Sequence, residues 1–210
     1  MNLIEIELEL KKRLSYPYLW GRKQNNYYNG QTNFIYEIKS FEKLLEEINI
    51  RFKGKNDYNN FFNYALNRWY NYWSARAAED IFCSLPNIVP AKNERDRLVD
   101  FSIYGINFDH KSSVFPKGYD GTFEDALKNP GDLCEWLYEN QSQEQRKHLK
   151  NRLFIILYSP QGNHWKLKAE ISLIKTRIEG YVNNFNKDKL IKISLEKDSI
   201  TLSDIIWVVK

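Results

Sequence analysis

The stretch LVDFSIYGINFDHKSS, residues 98–113, decides the fold. Phe101, Ile103, Ile106 and Phe108 alternate around Tyr104-Gly105, the pattern of two short strands closed by a two-residue turn. That turn pairs Ile103 with Ile106, Ser102 with Asn107, Phe101 with Phe108 and Asp100 with Asp109. Directly opposed residues share a face and successive residues alternate. Asp100, Ser102, Asn107, Asp109 and Lys111 are therefore expected to point one way, and the two Phe and two Ile the other. One face is apolar enough to pack on a core, while the other gathers two carboxylates and an ammonium.

Opposed carboxylates repel and weaken a sheet. Two readings account for them. A divalent cation removes the repulsion, since hard oxygen ligands suit Mg²⁺ and the ion keeps both aspartates ionised. Lys111, two residues beyond Asp109, would then orient or polarise a water, or neutralise charge developing on a phosphate. Alternatively the face is solvated, and its Asp and Lys form a surface ion pair worth ~0–1 kcal/mol.

Towards the N-terminus, residues 57–85 read as one long helix ending before Pro86. Leu66, Trp69, Trp73, Ala77, Ala78, Ile81 and Phe82 place apolar groups on most of its faces, as in a helix running through an interior. Glu79 shares a face with Tyr72, Ala75 and Arg76, whose small alanine leaves room for a carboxylate to reach a neighbouring site. Residues 32–48 space Phe34, Ile38, Phe41, Leu44, Leu45 and Ile48 by three or four and predict an amphipathic helix. Residues 2–14 predict a short helix. Residues 15–30, broken by Pro17, Gly21 and Gly30, read as a long loop. Its Arg22, Lys23, Tyr27 and Tyr28 combine the basic and aromatic groups of a nucleic-acid contact, or its rings tuck against the domain. Residues 87–97 read as a polar connector.

Towards the C-terminus comes a loop carrying Lys117, then a helix to about Lys128, a break at Asn129-Pro130-Gly131, and a helix over residues 132–151. Within it QSQEQRKHLK, residues 141–150, offers Arg146, Lys147 and amide groups of the kind that read purine edges. A solvated helix face explains the same residues. RLFIILYS, residues 152–159, is a strand buried on both faces. A helix over residues 168–184 and strands over residues 190–195 and 204–209 close the chain. The order predicts an α/β fold with a central mixed sheet flanked by helices.

A chain of 210 residues with 42% hydrophobic and 15% aromatic content has the makings of a sizeable core, which excludes a disordered protein. The net charge of +4 permits a polyanionic partner without demanding one. Cys83 and Cys134 belong to no CxxC motif, so zinc is not expected and reduced thiols in a cytoplasm are. No secretory signal pattern is read at the N-terminus, and no apolar run reaches the ~18 residues of a membrane span.

These residues resemble the PD-(D/E)XK nuclease superfamily, the restriction-endonuclease-like fold, over residues 69–209. There a helix donates a glutamate, one strand carries an aspartate and the next carries Asp/Glu-x-Lys, before later helices and strands complete the sheet. Glu79, Asp100 and Asp109-His110-Lys111 match in turn; Val99 stands where the family often has proline. The resemblance implies a nuclease-like domain over residues 57–210. Residues 1–56 form a helical N-terminal extension, serving as cover, dimerisation element or specificity element. It also implies Mg²⁺-dependent hydrolysis of phosphodiesters in duplex DNA (Mn²⁺ substituting), of restriction or phage-defence type, by a homodimer if one site cuts one strand. Asp100, Asp109 and the His110 backbone carbonyl would hold the ion, Glu79 would complete the shell or bind a second ion through water, and Lys111 would position the attacking water or lower its pKa. The His110 side chain is expected on the opposite strand face, as a packed or hydrogen-bonded core histidine, with His148 and His164 solvated. Phosphate contacts are expected first from Lys117, then from Arg146 and Lys147, and then from Arg22 and Lys23. Other readings are a nuclease fold acting on RNA or within a larger defence complex, and a catalytically silent nucleic-acid-binding scaffold.

Overall fold

The computed structural model describes residues 1–92, 99–140, 150–196 and 199–210. They form an α/β protein of N-terminal helices followed by a six-stranded mixed sheet with helices packed on it. The chain divides into two compact units, one of residues 1–78 and 165–172, the other of residues 79–164 and 173–210. Residues 57–78, which the resemblance groups with the nuclease-like segment, belong to the first unit.

The first unit contains α1 (Leu3–Lys12), α2 (Asn26–Gln31), α3 (Phe41–Phe52) and the larger part of α4 (Tyr58–Cys83). The single helix expected over residues 32–48 is interrupted. A 3-10 turn covers Asn33–Tyr36, and the Ser40 hydroxyl then caps a fresh start at Phe41. The interruption has a cause in packing, because the indole N–H groups of Trp69 and Trp73 donate to the Ile38 and Ile35 carbonyls at 2.6 and 3.0 Å. A continuous helix would have used those carbonyls itself. The expected loop over residues 15–30 likewise contains α2, capped by Asn25. Its Tyr28 is buried against Phe61 and Tyr64, while Tyr27 stays exposed.

Three cations are buried in this unit with neutral partners among the described residues: Arg13, Arg68, which donates to the Asn29 carbonyl, Thr32, Asn33 and Tyr36, and Lys168. Arg13, 0% exposed, donates to the carbonyls of Tyr16 and Pro17 and to Asn67 Oδ1 at 2.7, 3.0 and 2.6 Å. The rings of Tyr18, Tyr70 and Trp165 lie 5.5–5.8 Å from its guanidinium. Lys168, 9% exposed, donates to Asn71 Oδ1 at 2.6 Å, and burial lowers its pKa to about 8.

In the second unit β1 (Ile88–Pro90), β2 (Phe101–Ile103), β3 (Ile106–Val114), β4 (Arg152–Tyr158), β5 (Ile191–Glu196) and β6 (Ser199–Val209) lie in the order β1-β2-β3-β4-β6-β5. The first three strands run antiparallel, β4 is parallel to both β3 and β6, and β5 closes the sheet antiparallel to β6. Strand β1 falls where the sequence reads as a polar connector; only Ile88 of its three residues is buried, so alternation had too little to show. Strand β4 is buried from Arg152 to Leu157, as its unbroken apolar run predicts. One sheet face is covered by α5 (Phe123–Lys128) and α6 (Pro130–Asn140), whose Ala126, Leu133, Cys134, Leu137 and Tyr138 pack on Phe154, Ile156, Ile193 and Ile205. The other face meets Phe82 near the end of α4 and Tyr181 of α7 (Ile171–Asn183). A Thr122–Asp125 capping box starts α5.

Candidate functional site

The hairpin forms as its sequence predicts, with Ile103 paired to Ile106, Ser102 to Asn107 and Phe101 to Phe108. Tyr104 and Gly105 both take positive φ, +47° and +82°, as a two-residue turn of this hand demands. The register stops at Phe101–Phe108, and the expected opposition of Asp100 and Asp109 does not form. Instead the Asp100 N–H donates to the Phe108 carbonyl at 2.9 Å, one residue out of register as in a β-bulge. The Asp100 carbonyl accepts from Ala91 on the other side at 2.9 Å.

That slip redirects the Asp100 carboxylate. The Asp109 N–H points towards β4, donating to the Asn151 carbonyl at 3.0 Å, so the His110 N–H leaves β3 on the β2 side. Asp100 Oδ2 accepts it at 2.8 Å and accepts the ring Nδ1–H at 2.7 Å. His110 shares its face with Phe101 and Phe108; its ring lies 6.0 Å from Phe101 and 6.1 Å from Phe82, with 7% of the side chain exposed. It is the hydrogen-bonded core histidine that strand alternation predicts. Burial opposes its charged form, but the Asp100 hydrogen bond and the charges of Asp100, Glu79 and Asp109 outweigh burial and raise its pKa. For Asp100 burial pushes upward, and the His110 contacts prevail and hold the carboxyl below its ordinary range. Glu79, one helical turn before Phe82 on α4, is half-buried and close enough for its charge to act on the His110 ring.

Asp109 and Lys111 alternate to the opposite face, where α6 packs. Arg152 lies directly across from Asp109 in the β3–β4 register, and its Nε donates to Asp109 Oδ2 at 2.9 Å. The guanidinium rests over the Tyr138 ring, 5.3 Å from its centroid. Lys111 is exposed, and its ammonium makes no hydrogen bond or ion pair among the described residues. The protein around the ammonium strips solvent from it and Arg152 repels it; both lower its pKa against the pull of Asp109 and Asp100.

The structure thus divides the predicted residues into an Asp100–His110 pair with Glu79 nearby, and an Asp109–Arg152 pair beside Lys111. The repulsion that made a metal ion attractive is relieved by side chains of the chain itself, the Arg152 guanidinium at Asp109 and the His110 ring N–H at Asp100. Oxygen donors of the kind Mg²⁺ prefers remain: the Oδ1 atoms of Asp100 and Asp109 have no hydrogen-bond partner among the described residues. The His110 carbonyl leaves the strand on the same side as its N–H, towards Asp100. The donor set therefore fits Mg²⁺ in kind, although among the described residues no three His, Cys, Asp or Glu side chains are gathered as a cation site.

The remaining candidates are scattered. Lys117 is exposed in the second unit, and burial together with the Lys117 charge lowers the pKa of His164. His164 differs from the solvated residue expected: its Nδ1 accepts the Ser159 N–H at 2.8 Å and its ring stacks 5.1 Å from Tyr158. Arg22 and Lys23 are exposed in the first unit, with Arg22 3.6 Å from Asp57. Arg146, Lys147 and His148 lie outside the described residues. Arg152 was missed as a site residue. Its signal was a lone basic residue opening an otherwise apolar strand. No protein-family profile, curated protein or solved structure matches the chain. No helix among the described residues is long and apolar enough to cross a membrane.

Proposed function

We propose that the chain is a restriction-endonuclease-like phosphodiesterase of the PD-(D/E)XK kind, cutting duplex DNA with Mg²⁺, for which Mn²⁺ can substitute, in a restriction or phage-defence role. One observation carries the reading: Asp109-His110-Lys111 lies on the second strand of a hairpin whose first strand is entered through Asp100, and that second strand runs parallel to the buried β4. Glu79 on α4, whose charge acts on His110, adds the helical carboxylate of the same pattern. Asp100, Asp109 and the His110 carbonyl would hold the ion, with Glu79 supporting them. Bound there, Mg²⁺ supplies Lewis acidity and lowers the pKa of a bound water. Lys111, exposed and unpaired among the described residues, orients that water or meets the charge developing on phosphate. His110 fixes Asp100 through two hydrogen bonds. Lys117, Arg22 and Lys23, together with Arg146 and Lys147, are the candidate phosphate contacts, and a homodimer would cut both strands. The test is incubation of the purified chain with supercoiled plasmid and Mg²⁺, with and without EDTA. Nicked or linear product suppressed by EDTA supports the reading, and intact plasmid at every metal concentration ends it. Cleavage confined to RNA moves the assignment to that substrate.

A second reading, a silent scaffold of the same fold, draws support from the two pairs in which Asp100 and Asp109 already have protein partners, His110 and Arg152. Retained DNA binding without cleavage, unaltered in Asp109→Ala, would favour it.

A further inference from the structure

We infer that Arg152 is a positioning residue for Asp109, fixing one carboxylate oxygen on the protein and leaving the other directed into the site. The inference rests on the nuclease reading above and concerns a residue that reading does not use. Arg152 opens β4 as the only charged residue in that strand, and is 4% exposed. A guanidinium is retained at such a position only with compensation, and the compensation is visible. Nε donates to Asp109 Oδ2 at 2.9 Å, the plane lies over Tyr138, and the parallel register sets the two residues directly opposite each other. Tyr138 is fixed in turn by its hydroxyl, which donates to the Lys150 carbonyl at 2.6 Å. With Oδ2 occupied, Asp109 keeps a single rotamer and offers Oδ1 alone.

Two consequences oppose each other. The guanidinium charge offsets that of Asp109 and weakens its pull on a divalent cation, while the hydrogen bond holds the carboxylate where chemistry needs it. Arg152→Gln, which keeps an amide donor and removes the charge, should therefore bind metal about tenfold more tightly yet turn over about tenfold more slowly. Arg152→Lys, which keeps the charge and loses the planar fork, should leave metal affinity within about twofold of the parent.

The experiment measures Mn²⁺ affinity of the full chain by calorimetry without DNA, alongside plasmid cleavage, for the parent and both variants. Because Arg152 is buried, a third measurement uses a chain with Arg152 intact: its Nε–H resonance should be protected from exchange in the parent and lose protection in Asp109→Ala. Tighter Mn²⁺ binding with slower cleavage in Arg152→Gln, together with that loss of protection, supports the inference. Unchanged affinity and turnover in an active protein, or an Nε–H indifferent to Asp109→Ala, overturns it and leaves the nuclease reading standing. A parent that neither binds Mn²⁺ nor cuts ends both.

Discussion

Buried cations are handled differently in the two units. In the helical unit Arg13 and Lys168 are held by neutral oxygens, carbonyls and side-chain amides, with aromatic rings around the guanidinium. In the sheet unit each aspartate of the hairpin faces a side chain able to carry the opposite charge, and each keeps one oxygen unbonded among the described residues. The first arrangement uses its cations to tie chain segments together; Arg13 joins residues 16 and 17 to α4. The second leaves donor capacity unspent beside a lysine that is unpaired among the described residues. Carboxylates with a spare oxygen are what a binding site requires, and cations bonded to neutral groups of separate segments are what a structural tie requires.

Substitutions can break that contrast. The largest effect is expected in the sheet unit: Asp109→Ala or Lys111→Ala should lower Mg²⁺-dependent plasmid cleavage by about 10³-fold or more, equivalent to about 4 kcal/mol. Urea midpoints should move far less than this. Large stability losses with unchanged cleavage would make the hairpin charges structural and erase the distinction. Next comes Arg13→Met, which strands the Tyr16 carbonyl and Asn67 Oδ1 and should cost about 3 kcal/mol in urea unfolding. A cost below about 1 kcal/mol would show that Arg13 ties nothing.

Lys168 sharpens the comparison through pH. Its folded pKa of about 8 lies below the ~10.4 of an unfolded lysine, so between those values the unfolded chain binds more protons and stability rises with pH. Below pH 8 the full burial cost is present. Lys168→Met should therefore be more stable than the parent by about 2–3 kcal/mol at pH 7, with the gap closing by about pH 10.5. Asn71 Oδ1 remains satisfied by the Tyr18 hydroxyl at 3.2 Å. A gap that stays constant from pH 7 to 10.5 would refute the assignment. The smallest effect, about 1 kcal/mol, is expected for Ser40→Ala, which removes the cap of α3 and no charge. It gives the scale against which the loss of a charged tie is judged.

What could be read from the residues follows from how local its cause is. The hairpin was legible because a two-residue turn fixes register over the next few pairs, and Phe101, Ile103, Ile106 and Phe108 mark one face without ambiguity. Strand β4 declared itself through its unbroken apolar run. Legibility ended where a partner distant in sequence intervened. Asp100 leaves register because Ala91 takes its carbonyl and His110 takes its side chain, neither of which the turn specifies. The helix expected over residues 32–48 breaks because Trp69 and Trp73 claim its carbonyls. Arg152 meets Asp109 only through a parallel pairing across 43 residues, which no local pattern encodes.

The two thiols have a practical use. Cys134 is buried beneath the sheet, and burial pushes its pKa up to about 12, so at neutral pH it offers no thiolate to an alkylating reagent. Cys83, partly accessible near the end of α4, is four residues from Glu79. A maleimide fluorophore should therefore attach at one place in the unaltered chain, and its emission would report DNA or ion arrival near Glu79 without any engineered cysteine.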